Sequence, residues 1–280
     1  MNHKTSNGFV TSAYNPLAVF STFWIHRELI LQLAWREIVQ RYRGSVFGLL
    51  WSLFHPLLML AVFTFVFGRV LPTRSGLDVI DTPAFGLTLF AGLVVFWLIS
   101  ECLTRAPRLL LENPSFVKRV VFPVEILPWV VVLTAVFHTT VSTIVLLCAT
   151  WFVQGSLPFS IVMLPFVLAP VAIFGLGALW FFAALGVYIR DIQQMMPIFL
   201  TALMFLTPIF YPSSALPDAI RSVLMLNPLA GAIERTRAVV LTGVIPDWQV
   251  LLGAFLTSWA IAWLGRAWFE RVRWGFAGVI

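Results

Sequence analysis

Residues 44–68, 82–100, 126–189, 192–217 and 248–265 of this 280-residue chain hold no aspartate, glutamate, lysine or arginine. No other feature constrains the fold as strongly. A helix needs about 20 apolar residues to cross the hydrocarbon core of a bilayer, and four of the stretches fit one crossing each. The 126–189 stretch is too long for one crossing and ample for two. A turn cluster, Gln154-Gly155-Ser156-Leu157-Pro158, stands near its middle. Six spans are therefore expected, at about 46–69, 84–104, 124–151, 160–187, 195–211 and 248–268. The runs are continuously apolar instead of alternating, which excludes the strands of a β-barrel. Only 11% of residues are charged and 60% are hydrophobic, against roughly 25% charged in an average soluble chain. That is too little charge to cover a water-facing surface, and the expected class is an all-α membrane protein.

The net charge of +6 then reads as a topology signal and not as a nucleic-acid footprint. Six spans put both termini on one side. The N-terminal arm, the 105–122 loop, the Arg190 turn and the tail from Arg266 share that side. They hold all basic residues except Arg69, Arg74, Arg221, Arg235 and Arg237. The positive-inside rule places both termini in the cytoplasm. The first forty residues lack a secretory signal pattern, so insertion by the first span is expected. The only lysines are Lys4 and Lys118, and neither follows a glycine. A Walker A loop needs Gly-Lys-Ser/Thr to reach the terminal phosphates, so ATP binding through a P-loop is not expected here. Cys102 and Cys148 lie in or beside apolar runs, where a thiol behaves as a small hydrophobe. No metal spacing, nucleophile–base pair or carboxylate pair stands out, which leaves an enzyme reading without chemistry.

The division expected is a cytoplasmic arm with an amphipathic helix over residues 1–45, then a six-span domain over 46–280. In the stretch REIVQRYRGSVFGLLWSLFHP, Arg36 to Pro56, three arginines and a glutamate precede a wholly uncharged run. Upstream, Leu31, Ala34, Trp35, Ile38 and Tyr42 recur at helical spacing opposite Gln32, Arg36, Gln40 and Arg43. This fits a helix lying at the membrane surface. Arg27, Glu37 and Arg41 interrupt the apolar face, so the helix could also border protein or a charged ligand. One reading is a juxtamembrane anchor; another is a cytoplasmic entrance contacting anionic headgroups.

A second feature is ENPSFVKRVVFP, Glu112 to Pro123. Asn113 suits an N-cap, Pro114 the first helical position, and Pro123 a stop after about two turns. The short helix would present Phe116, Val117, Lys118 and Arg119 to a groove on a soluble partner, or rest on the membrane surface. The third feature runs from Tyr211 to Asp247. Pro217 starts one possible helix, and Asn227-Pro228 starts another that runs to about Leu241 and stops at Gly243. Glu234, Arg235 and Arg237 make it either a cavity-lining broken segment or an outer cap. Near the inner end of span two, Glu101 and Arg105 lie one turn apart, where an ion pair is expected. His138 is read as a hydrogen-bonded core histidine. The lack of intramembrane carboxylates argues against an ion-coupled pump.

Taken in order, these residues resemble the permeases of polysaccharide-exporting ABC transporters, above all the O-antigen-exporting (Wzm) kind, with capsule and teichoic-acid permeases as cousins. The matching runs are REIVQRYRGSVFGLLW followed by HPLL, then NPSFVKRVVFPVEILP at 113–128 and RD at 190–191. TPIFYP at 207–212 and NPL with Glu234 and Arg237 downstream complete the set, which covers about residues 25–245.

The resemblance implies a half-pore: a pair of such chains, each docked on an ATPase subunit that supplies the P-loop, ATP and magnesium. It makes residues 113–119 (Asn113, Pro114, Ser115, Phe116, Val117, Lys118, Arg119) a coupling helix. The segment around 27–43 becomes an interface or gate helix with Arg36, Arg41, Tyr42 and Arg43. Residues 213–243 become periplasmic helices closing the channel. The substrate implied is a glycan on undecaprenyl pyrophosphate, with Arg36, Arg41 and Arg43 able to contact the pyrophosphate. Phe54, Phe205 and Tyr211 become channel aromatics, because the family places spans one and five at the pore. No cofactor is expected in this chain itself, and the implied location is the bacterial inner membrane. The rivals are an ABC exporter of drugs or lipids and, from another class, a membrane scaffold or glycolipid-modifying enzyme.

Overall fold

The computed structural model describes residues 18–66, 82–117, 122–211 and 227–279. Among them every regular element is helical. Helix α1 spans Ala18–Tyr42, α2 Trp51–Phe65, α3 Thr82–Arg105, α4 Pro114–Val117 and α5 Leu127–Gln154. They are followed by α6 Leu164–Tyr188, α7 Ile192–Leu206, α8 Pro228–Arg237, α9 Trp248–Val272 and α10 Phe276–Val279. With their flanking helical turns, five segments are long and apolar enough to cross a membrane: Gly48–Phe65, Phe85–Arg108, Val124–Gln154, Phe159–Tyr188 and Trp248–Gly275. The protein is a multi-pass α-helical membrane protein.

The expected fifth span is a shorter helix. Its 15 residues, Ile192–Leu206, reach about 22 Å at 1.5 Å per residue, less than the ~30 Å hydrocarbon core. The cause is local. Thr207 precedes Pro208, and a residue before proline is pushed out of the helical region; Thr207 is extended (φ −105°, ψ 139°). The broken end is sealed by side chains. The Thr207 hydroxyl donates to Leu203 O at 2.6 Å, and the Asn227 amide donates to that hydroxyl at 3.1 Å.

The turn cluster at 154–158 behaves as expected, with Gly155 in the left-handed region (φ +72°) capping α5. Helices α6 and α9 cross through small residues. A β-carbon on Gly177 would lie 2.7 Å from the Ala262 Cα, and one on Gly265 would meet the Gly177 carbonyl. In a bilayer, such close approach substitutes packing for the missing hydrophobic drive. Trp180, fully buried, donates its Nε1–H to Glu125 O and ties α6 to the start of α5.

Helix α1 begins nine residues before the expected segment and kinks at His26 (φ −110°, ψ 16°). Its apolar residues split into two stripes. Ile30, Ala34 and Ile38 are buried, while Leu31 and Trp35 stay exposed. The helix therefore packs on the bundle with one stripe and leaves the other to its surroundings. Phe20 stacks on Trp259 at 4.5 Å and Phe23 lies 4.9 Å from Trp129. By contrast α2 buries only Pro56, and α7 exposes Met195, Ile198, Phe199 and Phe205. Helix α2 approaches the turn after α7 through Phe63 and Phe210, whose rings lie 6.4 Å apart.

Candidate functional site

The chain leaves α1 at Tyr42 and turns through Gly44 (φ +86°) and Gly48 (φ +51°) before α2. Both positions lie in the left-handed region that other residues enter only at a cost, so glycine here permits the abrupt change from basic helix to apolar span. Ser45 donates to Tyr42 O at 2.8 Å and Ser52 to Leu49 O at 2.7 Å, closing the turn.

Behind that turn lies a cavity of about 450 Å³, walled by the end of α1, the start of α2, the last turns of α3 and the middle of α5. Glu101 is its centre. Arg41 donates from Nη1 to Glu101 Oε1 at 2.6 Å, and His138 Nδ1 lies 2.9 Å from Oε2. The other histidine nitrogen, Nε2, is 3.1 Å from the Tyr42 hydroxyl. With a neutral imidazole, the consistent assignment has Nδ1–H donating to the carboxylate and Nε2 accepting from Tyr42. Arg41 Nη1 is also 3.3 Å from His138 Nδ1. That contact cannot be a bond while Nδ1 carries the proton given to Glu101, because both groups would be donors.

The phenol of Tyr42 is held neutral. Burial pushes its pKa above the ordinary value; Arg41 opposes the shift and Glu101 reinforces it. His138 is thus the hydrogen-bonded histidine expected from sequence, and it joins α1 to two spans. The expected Glu101–Arg105 pair is not formed. Arg105 pairs with Glu37 of α1, while Glu101 takes Arg41. Each helix offers an acid followed one turn later by an arginine. Two such helices laid against each other exchange partners, and this satisfies all four charges across the interface.

Of the three arginines expected at the entrance, only Arg41 lines this cavity, and its charge is balanced by Glu101. Arg36 and Arg43 are exposed and form no ion pair among the described residues. Arg36 borders a second, smaller cavity of about 260 Å³ with Glu37, Gln40, Arg105, Glu112, Asn113 and Phe116. Two features read separately in the sequence, the amphipathic helix and the 113–117 segment, therefore face one another.

That segment forms a single helical turn, Pro114–Val117; Lys118 and Arg119 lie outside the described residues. Asn113 works differently from the expected N-cap. Its side-chain amide donates backwards to Leu109 O at 2.9 Å, while its backbone carbonyl accepts from Phe116 and Val117. Phe116 stacks on Phe122 at 4.5 Å with 20° between planes.

Besides Tyr42 and His138, the junction cavity is lined by the aromatic residues Trp51, His55 and Trp97, with His55 and Trp97 edge to face at 5.2 Å. Sequence reasoning missed all three. The available signal was the i, i+4 series Trp97, Glu101, Arg105 on one face of span two. None of Phe54, Phe205 and Tyr211 lines this cavity. Phe54 and Phe205 point outward from single helices, and Tyr211 donates to Phe205 O at 2.9 Å.

At the opposite end of the bundle, α8 starts at the expected Asn227-Pro228. Asn227 Oδ1 accepts from Leu229 N at 3.0 Å, and Gly243 (φ +75°) ends the helical turn that follows. The helix expected from Pro217 lies outside the described residues. Arg237 is buried. It donates to Thr88 O at 3.0 Å and to Ile209 O at 2.7 Å, with Glu234 at 3.4 Å. Arg237 thereby staples α8 to α3 and to the broken end of α7. No group of three or more His, Cys, Asp or Glu suited to a metal occurs among the described residues.

The sequence matches the ABC-2 type transporter family over residues 28–241. It is similar to an O-antigen export system permease protein of Myxococcus xanthus, 28% identical over 255 residues, covering 90% of this chain and 95% of that protein. An O-antigen export system permease protein of Klebsiella pneumoniae is 26% identical over 256 residues, with the same coverage. The polysialic acid transport protein KpsM of Escherichia coli is 26% identical over 241 residues, covering 81% of this chain and 86% of that protein.

Proposed function

The chain belongs to the ABC-2 type transporter family, and on that premise we propose that it is the membrane-spanning permease subunit of an ABC exporter of polysaccharide, with O antigen as the substrate class. The observation that carries this reading is the likeness to two O-antigen export permeases over nine-tenths of the chain. Capsular polysaccharide is the second reading, supported by the likeness to KpsM over a smaller share.

In this proposal a separate ATPase subunit hydrolyses ATP, and the permease performs no chemistry. A pair of permeases forms the channel, and the outward apolar faces of α2 and α7 are the surfaces available for pairing and for the channel wall. Phe54 and Phe205 then acquire their environment from the assembled pair. The turn around Pro114–Val117, with Lys118 and Arg119 after it, receives the ATPase's motion. It passes that motion to α1 across the cavity shared with Arg36 and Glu37. The basic end of the bundle faces the cytoplasm of a bacterial inner membrane, where a glycan on undecaprenyl pyrophosphate would arrive. Arg36 and Arg43 form no ion pair among the described residues and are offered to its pyrophosphate, and Arg41 becomes available only if Glu101 releases it.

Deleting the gene tests the substrate. Lipid-linked glycan should accumulate on the cytoplasmic face and surface glycan should vanish, both restored by the wild-type chain. Normal surface glycan with no accumulated intermediate refutes the assignment.

A further inference from the structure

Arg235, at the α8 end of the bundle, has no partner among the described residues. Its neighbour Glu234 is engaged by Arg237, and Arg235 forms no ion pair or hydrogen bond among the described residues. Its Nε is closed off from solvent without an acceptor. The guanidinium folds back along α8 over Gly231, where a β-carbon would lie 3.1 Å from Nη1. The absent side chain gives the guanidinium its berth. A partly buried cation with an unmet donor lacks the anionic half of a pair.

The space for the other half is present. Arg235 borders a cavity of about 170 Å³ between α6, α8 and α9, whose lining residues include Thr257 and Ser258. Its rim residues Val250 and Thr257 belong to the exposed stripe of α9 that continues through Ile261 and Leu264. That stripe is apolar apart from Thr257, so the cavity opens sideways toward the bilayer. A ligand must reach it from within the membrane and bring negative charge. Arginine's planar fork matches phosphate oxygens in pairs.

We propose that the cavity beside Arg235 binds the phosphate of an anionic lipid in the leaflet at the α8 end. Arg235 supplies the charge, and Thr257 and Ser258 supply hydroxyls. Thr257 now donates to its own helix at Gly253 O and Ala254 O, 2.9 and 3.1 Å away, and turns outward when the phosphate is bound. The phosphate could belong to a resident phospholipid or to a polyprenyl phosphate carrier. The inference stands whichever substrate the permease exports.

The full-length protein in phosphatidylcholine nanodiscs, doped with phosphatidylglycerol or with undecaprenyl phosphate, tests this by native mass spectrometry of retained lipid. Wild type should retain at least one of these lipids with roughly tenfold or greater preference over Arg235→Gln. The lipid retained identifies the source. Thr257→Phe keeps the charge and blocks the exposed mouth of the cavity, and should show the same loss. Equal retention by wild type and both variants overturns the proposal. Loss in Arg235→Gln alone also overturns it, because a charge anywhere on α8 would explain that result. If Arg235→Gln does not assemble, Thr257→Phe decides.

Discussion

Arg41 donates to Glu101 at 2.6 Å across 60 positions of sequence, and the reciprocal pair Glu37–Arg105 lies one turn further along both helices. Glu37 precedes Arg41 by a turn while Arg105 follows Glu101 by one, so the two pairs set the register of α1 and α3 running in opposite directions. His138 and Tyr42 extend the contact to α5, so one polar cluster locks an amphipathic helix to two spans. Glu101 is shielded (16% side-chain exposure) whereas Arg41 is half in the open (53%). Removing the arginine leaves a buried carboxylate, and removing the acid leaves a cation that water can still solvate.

The asymmetry gives a double-mutant test. Arg41→Gln should destabilise the purified protein more than Glu101→Gln does. The coupling between them should be about 1 kcal/mol, discounted because Arg41 is solvent-screened. The exchanged protein, Arg41→Glu with Glu101→Arg, should recover part of the loss. Thermal unfolding in one detergent compares wild type, the two single variants, the double variant Arg41→Gln with Glu101→Gln, and the exchanged protein. Strict additivity would show that the pair does not hold α1.

Alkali should loosen the same cluster. Tyr42's folded pKa is raised above the ordinary phenol value of about 10 by burial first and Glu101 second. Its contribution is fully present below the unfolded pKa and is lost as pH rises through the folded one. Stability should therefore fall more steeply above about pH 10 in wild type than in Tyr42→Phe. Parallel pH profiles would count against a buried phenol.

Gly265→Ala should cost about 1–3 kcal/mol by overpacking, because the new methyl meets the Gly177 carbonyl and neither backbone can yield. Gly253→Ala, on the same helix with nothing within 4 Å, should be neutral or stabilising by up to about 1 kcal/mol through helix propensity. The folded fraction after heating, read by size-exclusion chromatography, separates the two.

Arg237→Lys keeps the charge but loses the fork that serves Thr88 O and Ile209 O together. Leaving one buried carbonyl unpaired costs roughly 1–3 kcal/mol. The α8 end should open before the rest of the bundle. Hydrogen exchange at Leu229–Ile233 should accelerate in the variant while the α6–α9 crossing stays protected.

Much of the molecule is set by sequence alone because its causes are local. A membrane demands a long uninterrupted apolar run, so the charge-free stretches mark five of the six expected spans without reference to any neighbour. Gly155 and Gly243 end helices through their own backbone freedom, Asn227 starts one through its own side chain, and Pro208 shortens α7 through a clash with the residue before it. Other choices belong to the tertiary structure. Glu101 has Arg105 within reach on its own helix, and only the arrival of α1 redirects both to new partners. Leu31 and Ala34 are equally apolar in sequence, yet packing against α5 buries one and leaves the other outside. Asn113 has donors and acceptors for either direction, and the carbonyl of Leu109 decides which it uses. Spans follow from each segment's free energy in hydrocarbon, whereas partners follow from the competition between groups that only folding brings within reach.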